Sequence, residues 1–189
     1  MTRLKDFSFN GQSLLRPVFI ETGTFHGESL RNALHAGFPT LHSIEICKEN
    51  YDFVKTLFER FHCLEGQEDK ITLHLGSSPN ILPLIINPNV PTTFWLDAHF
   101  QDRLQEEQDT TYGECPLLLE LNAIFSFNWN HNPIVLIDDA HMFDDRIDDK
   151  FNRSHWPTLK QIKENLPTNY KCVEQNDVLF CLNSNEFKL

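Results

Sequence analysis

The chain has 189 residues, with 16 Lys+Arg against 27 Asp+Glu, for a formal net charge of −11. That length fits one domain, residues 1–189, and leaves no room for two full ones. The charge excludes a phosphate-dominated nucleic-acid binder and a polybasic membrane-surface protein, but not a small nucleotide-like ligand held by backbone donors. Hydrophobic residues make up 40% and charged residues 23%, the balance of a soluble globular protein.

The longest apolar stretches, Ile81 to Ile86 (broken by Pro83) and Ile134 to Ile137, fall far short of the ~20 residues that span a bilayer. Met1 to Leu15 has no apolar core of a secretory signal. The cysteines (47, 63, 115, 172 and 181) are odd in number and include no C-x-x-C. They read as reduced thiols of a cytoplasmic protein, with a Cys172–Cys181 bridge across a terminal hairpin as the minor alternative.

Along the chain, short β-rich runs alternate with helix-period segments. The first strand is Pro17 to Glu21. A turn containing two glycines, Thr22 to Gly27, leads into a helix with Leu30, Ala33 and Leu34 on one face, stopped by Gly37 and Pro39. The second strand is Leu41 to Ile46. Its helix, about Asn50 to Phe61, buries Tyr51, Val54, Leu57, Phe58 and Phe61. The third strand is Ile71 to Leu75, and Ser78-Pro79 reads as an N-cap followed by proline at the first helical position. The fourth strand, Thr93 to Leu96, ends at Asp97. The polar stretch His99 to Gly113 is long enough to be a lid or binding loop. A helix over about Glu114 to Phe127 follows, with Leu117, Leu121 and Ile124 inward. The fifth strand, Pro133 to Ile137, ends in Asp138-Asp139. A second polar loop covers Ala140 to His155, and its Asp144 to Asp149 cluster lacks the glycine and spacing of an EF-hand. Trp156-Pro157-Thr158 opens a short helix carrying Leu159, Ile162 and Leu166. Two β-rich runs, Tyr170 to Val173 and Val178 to Leu182, close the chain around a turn at Glu174 to Asp177.

Five β-then-α units predict an α/β fold: a Rossmann-like, doubly wound, mainly parallel sheet of about seven strands, the last antiparallel. Ligands of such sheets bind beyond the carboxyl ends of the strands. Those ends carry Glu21, Gly23 and Gly27 (strand one), Glu45 (two), Gly76 and Ser77 (three), Asp97 and His99 (four), and Asp138, Asp139 and His141 (five). A glycine turn opening a helix offers free N–H groups to an anion. Glu45, 24 residues after Glu21, stands where an acidic side chain accepts from ribose hydroxyls. Asp97, Asp138 and Asp139 gathered at one rim repel one another unless a cation sits among them, and oxygen donors of this kind suit Mg²⁺. His99 is a candidate general base. The other reading of these residues is structural: a tight turn with nothing bound, Asp138 or Asp139 capping the next segment, and His99 a loop histidine. The turn reads G-x-x-x-G rather than G-x-G-x-x-G, which disfavours a nicotinamide dinucleotide. No G-x-S-x-G elbow or phosphate-binding P-loop occurs.

Phe19-Ile20-Glu21-Thr22-Gly23-Thr24-Phe25-His26-Gly27 resembles the first motif of class I S-adenosylmethionine-dependent methyltransferases, and Ser43-Ile44-Glu45-Ile46 resembles their acidic second motif. Phe94 to His99 and Val135 to Ala140 resemble the fourth- and fifth-strand motifs. Together they are similar to the branch holding metal-dependent sugar O-methyltransferases of antibiotic biosynthesis; Gly113 to Leu121 and Trp156 to Leu159 resemble uncharacterised bacterial members. The resemblance implies S-adenosylmethionine bound by Glu21, Gly23, Thr24, Phe25, Gly27, Glu45, Ser77 and Asp97. It implies a Mg²⁺-like ion on Asp97, Asp138 and Asp139, and catalysis by His99 and Asp97. The acceptor it implies is a hydroxyl-bearing small molecule, and the fold accommodates a homodimer. Phe25 departs from the family's usual middle glycine, and Ser77 from the usual acidic residue after strand three. The rival readings are a cofactor-binding module of the same fold without turnover, and a nicotinamide-dependent oxidoreductase.

Overall fold

A computed structural model of the chain describes residues 7–60, 70–99, 114–144, 146–147 and 152–188. Its centre is a seven-stranded sheet in the order β5-β4-β3-β6-β7-β9-β8. These are β3 (Val18–Thr22), β4 (Thr40–Glu45), β5 (Ile71–Leu75), β6 (Thr92–Leu96), β7 (Ile134–Ile137), β8 (Tyr170–Gln175) and β9 (Val178–Asn183). Pairings from β5 to β7 are parallel, and β9 pairs antiparallel with both β7 and β8. Strand order reverses between β3 and β6, which opens a crevice at their carboxyl ends.

Alternate side chains of each strand enter opposite cores. Phe19, Leu41, Trp95, Leu136 and Phe180 face α1 (Glu28–Ala36) and α2 (Lys48–Arg60). Ile20, Ile44, Phe94, Val135 and Leu179 face α3 (Ser78–Ile85), α4 (Leu117–Phe125) and α5 (Leu159–Glu164). Both faces are covered, which is why the central strands are apolar at nearly every position. Helix α1 buries Leu30, Ala33 and Leu34 and ends on Gly37 in the left-handed region. Helix α5 is opened by Thr158 and Gln161 in a reciprocal capping box.

The structure departs from the sequence expectations in several places. An N-terminal hairpin, β1 (Ser8–Phe9) and β2 (Gln12–Ser13), turns at Asn10-Gly11 with positive φ at both. It was not anticipated, although Asn-Gly suits a two-residue hairpin turn. The N-cap of α3 is Ser77, and Ser78 and Pro79 form its first turn. The segment after β7 is not wholly polar. It starts with a 3₁₀ turn, Ala140–Phe143, whose Ala140, Met142 and Phe143 are buried. The closing turn is Asn176-Asp177, again with positive φ at both, and Glu174 and Gln175 extend β8. Cys172 and Cys181 stand in register on β8 and β9, 4.3 Å apart at Cα, and form a disulfide, while Cys47 and Cys115 are free thiols. The expectation of reduced thiols is thus replaced at that pair. Cys63, Phe61 and the proposed lid beyond His99 lie outside the described residues. No helix among the described residues is long and apolar enough to cross a membrane.

The hairpin places Phe7 under the sheet. Its ring meets those of Phe19, Phe38 and Trp95 edge-on, at 5.7, 5.0 and 6.4 Å. Leu14 is tied to the sheet by its carbonyl, which accepts from Thr93 Oγ1 at 2.6 Å. Replacing Phe7 by Ala should cost about 3–5 kcal/mol. Urea denaturation checks this; an unchanged midpoint would mean that the N-terminal segment is not part of the core.

Candidate functional site

The carboxyl end of β3 is the centre of the site. Its turn is pinned to the neighbouring strand: Gly23 N–H and Thr24 N–H donate to the Ile44 carbonyl at 2.9 and 3.3 Å. A Cβ on Gly23, at φ +79°, would stand 2.4 Å from the Asp97 carbonyl oxygen. The missing side chain therefore admits the backbone leaving β6. Gly27 lies against Val54 and Phe58 of α2, the close helix packing expected of it. Phe25 occupies the left-handed region at φ 46°, where glycine is favoured. Its exposed ring stacks on His26 at 3.8 Å, which in turn meets Phe53 at 5.3 Å.

Glu21 is fully buried at the strand end. Ser29 donates to one carboxylate oxygen and Ser43 to the other at 2.5 Å, and Ser43 is itself bonded to Thr24 at 2.5 Å. Burial outweighs these bonds and lifts the Glu21 pKa to about 8. Glu45 is also buried, and burial raises its pKa. Phe25 N–H donates to its Oε2 at 2.7 Å and Cys47 N–H to its Oε1 at 2.8 Å. Glu45 thus braces the turns after β3 and β4.

The acidic rim beyond β6 and β7 is paired with histidines. His99 Nε2 lies 3.1 Å from Asp97 Oδ1 and 3.0 Å from Asp139 Oδ2, and its ring packs 5.2 Å from that of Trp156. Burial alone would lower the His99 pKa, but bonds to Asp139 and Asp97 and their charges raise it to about 10. The two carboxylates thus share the His99 imidazole. Asp139, left-handed at φ 52°, turns its other oxygen to within 4.0 Å of His141 Nδ1. His141 Nδ1 is 2.8 Å from Asp177 Oδ2, and its backbone N–H donates to Asp177 Oδ1 at 2.8 Å. Two groups could hold a metal among the described residues: Asp97, His99 and Asp139, and Asp139, His141 and Asp177. Asp138 belongs to neither, and its Oδ1 accepts from Asp139 N–H at 2.9 Å.

Two further residues were not anticipated as part of the rim. Asp177 is 36 residues from His141, and only the β8–β9 turn brings it there. Glu120 of α4 is 1% exposed, is hydrogen-bonded with Ser78 and Thr22, and couples to the charges of Asp97 and His99. Burial lifts its pKa to about 7. A carboxylate on the inner face of an apolar helix was the available signal. Ser77, the adenine-side candidate, caps α3 through its backbone, with no side-chain cap bond.

No protein-family model matches the chain, and no curated protein matches its sequence. Solved structures do match. The SAH-bound methyltransferase PaMTH1 of Podospora anserina superposes with a TM-score of 0.62 at 13% identity, covering 87% of this chain and 70% of that one. An O-methyltransferase from Bacillus cereus in complex with SAH gives 0.57 at 12% identity, covering 88% and 74%. Spermidine synthase from Thermotoga maritima gives 0.53 at 10% identity, covering 89% of this chain and 53% of that one. The chain has the class I S-adenosylmethionine-dependent methyltransferase fold that its motifs resemble. That a synthase of spermidine shares the fold leaves the chemistry to be argued from the site.

A carboxyl whose folded pKa lies above its unfolded one contributes stability that is complete below the unfolded value and is lost as pH rises through the folded one. Glu21 places that loss between about 4.5 and about 8. Glu21→Gln should therefore flatten the decline in unfolding free energy between mildly acid and alkaline pH by on the order of 3 kcal/mol. A decline as steep as that of the parent would assign it to other groups. Gly23→Ala should cost about 2–5 kcal/mol from backbone overlap and strain. Gly37→Ala, also left-handed but with nothing within 4 Å of the added carbon, should cost only about 1 kcal/mol. Equal losses in thermal melts would refute the close-approach account.

Proposed function

We propose that the chain is an S-adenosylmethionine-dependent methyltransferase that acts on a hydroxyl oxygen of a small molecule. The observation that carries this reading is the convergence, at the crevice between β3 and β6, of the Gly23–Gly27 turn with the Asp97–His99–Asp139 rim.

The cofactor site would comprise Glu21, Gly23, Thr24, Phe25 and Gly27, with Glu45 toward the ribose, Ser77 toward the adenine and Asp97 at the reacting end. S-adenosylmethionine supplies a methyl group on a sulfonium, which needs alignment more than activation. The chain's part is to hold the acceptor oxygen in line and keep it dry. Glu45 suits a ribose-side role because its bonds to the Phe25 and Cys47 amides fix its carboxylate at the turn beside the crevice. Glu21, at a pKa of about 8, keeps its proton at neutral pH and spares the turn a second buried charge.

Asp97, His99 and Asp139 also fit a divalent cation, since a carboxylate oxygen from each aspartate and His99 Nε2 lie within 4.8 Å of one another. Asp138 would support this set through Asp139 rather than join it. A divalent cation held there would lower the pKa of an acceptor hydroxyl, so that transfer needs no separate base. His99 has a single Nε2 between both carboxylates, and that nitrogen serves as a ligand rather than as the base expected from the sequence. The acidic mouth and the net charge of −11 favour a neutral acceptor over a nucleic acid or a sugar phosphate.

A melting experiment tests the reading. S-adenosylmethionine at 100 times its Kd should raise the melting temperature by roughly 5–10 °C. Asp139→Ala should abolish methyl transfer and leave that shift intact. A shift with NAD and none with S-adenosylmethionine would overturn the reading. Phe25 at a glycine-favoured φ favours one alternative, a binding module without turnover. A full shift with no methyl transferred to any acceptor would select it.

A further inference from the structure

Of the second triad, Asp139, His141 and Asp177, only Asp139 enters the proposed activity, and the other two lie at its edge. Its three side chains come from three different places: the end of β7, the 3₁₀ turn that follows, and the tip of the β8–β9 hairpin. The hairpin tip is fixed by backbone geometry. Asp177 sits at φ 64°, its carbonyl accepts from Ala140 N–H at 2.8 Å, and its Oδ1 accepts from His141 N–H at 2.8 Å. Asp139 belongs to both triads and presents a different oxygen to each: Oδ2 at 3.0 Å from His99 and Oδ1 at 4.0 Å from His141. A carboxylate placed so is arranged as a bridge. A further buried carboxylate lies close by. Glu120, 1% exposed, has an Oε1 with no hydrogen-bond partner and couples electrostatically to Asp97 and His99.

We propose that Asp97, His99, Asp139, His141 and Asp177 form a dinuclear site for divalent transition ions such as Zn²⁺ or Mn²⁺. Asp139 bridges the ions, and His141 and Asp177 hold the second one. This rests on the reading of the first triad as a cation site, and adds an ion and a metal class to it. Imidazole donors on both sides favour borderline transition ions over Mg²⁺, which takes oxygen ligands and water. Paired ions joined by a carboxylate clamp two oxygens of one substrate.

The test is metal stoichiometry of the full chain, stripped with chelator, reloaded with Zn²⁺, desalted and measured by mass spectrometry. Neither cofactor nor acceptor is needed, so a failure to methylate does not bear on it. The parent should retain two ions per chain, and the double variant His141→Asn, Asp177→Asn should retain one. One ion in the parent, lost in Asp97→Asn but kept in the double variant, would overturn the second site and leave the first intact. Two ions in the double variant would place the second ion elsewhere and overturn the proposal. Should the double variant not fold, electron paramagnetic resonance of the parent with Mn²⁺ decides. A spin-coupled spectrum at two equivalents supports the bridge, and a six-line spectrum of isolated ions overturns it.

Discussion

Carboxylates collected at the carboxyl ends of parallel strands must be neutralised, and each here is neutralised in a different way. Glu21 keeps a proton because burial costs more than Ser29 and Ser43 return. Glu45 takes two backbone N–H groups, and in doing so sets the spacing of the turns after β3 and β4. Asp97 and Asp139 share the His99 imidazole, and Asp177 closes on another histidine. An unpaired buried charge costs several kcal/mol. The arrangement of turns around the crevice can therefore be read as the set of loop paths that brings each acidic group its partner. Gly23 belongs to the same constraint, because only without a side chain there can the backbone carrying Asp97 and His99 cross so close to β3.

The five β–α units, the mainly parallel sheet with its antiparallel last strand, and the stop at Gly37 could all be read in the sequence. These depend on local chemistry: two-residue alternation, turn residues and helix stops lie within a few positions of one another. The site was legible only in outline. Residues at strand ends could be named because the fold sends strand ends to one rim. Their partners could not, because His99 meets Asp139 across 40 positions and His141 meets Asp177 across 36. Spacing along the chain does not carry such contacts. The grouping of Asp138 with Asp97 and Asp139 illustrates the limit. Adjacent residues after a strand point different ways, and here Asp138 turns back to the Asp139 amide.

Two misses have a different origin. Asn10-Gly11 is a strong local hairpin signal, but the flanking strands are only two residues each, too short to show alternation. Glu120 reads as an ordinary helix residue until Thr22 and Ser78, from two other elements, surround it. A carboxyl that titrates near neutrality inside an apolar core is a tertiary property with no counterpart in the sequence pattern.

The position of β9 has a consequence for assembly. It is the last strand among the described residues, yet it lies inside the sheet between β7 and β8, and its side chains enter both cores: Phe180 and Leu182 one, Leu179 and Cys181 the other. A ribosome must release nearly all of the described chain before this strand can insert. Until then β7 presents an open edge and both cores lack a wall. Asp177, immediately before β9, arrives with it. The acidic rim is thus completed only by the same late event that closes the sheet, so a nascent chain, or one cut before β9, would lack the complete rim.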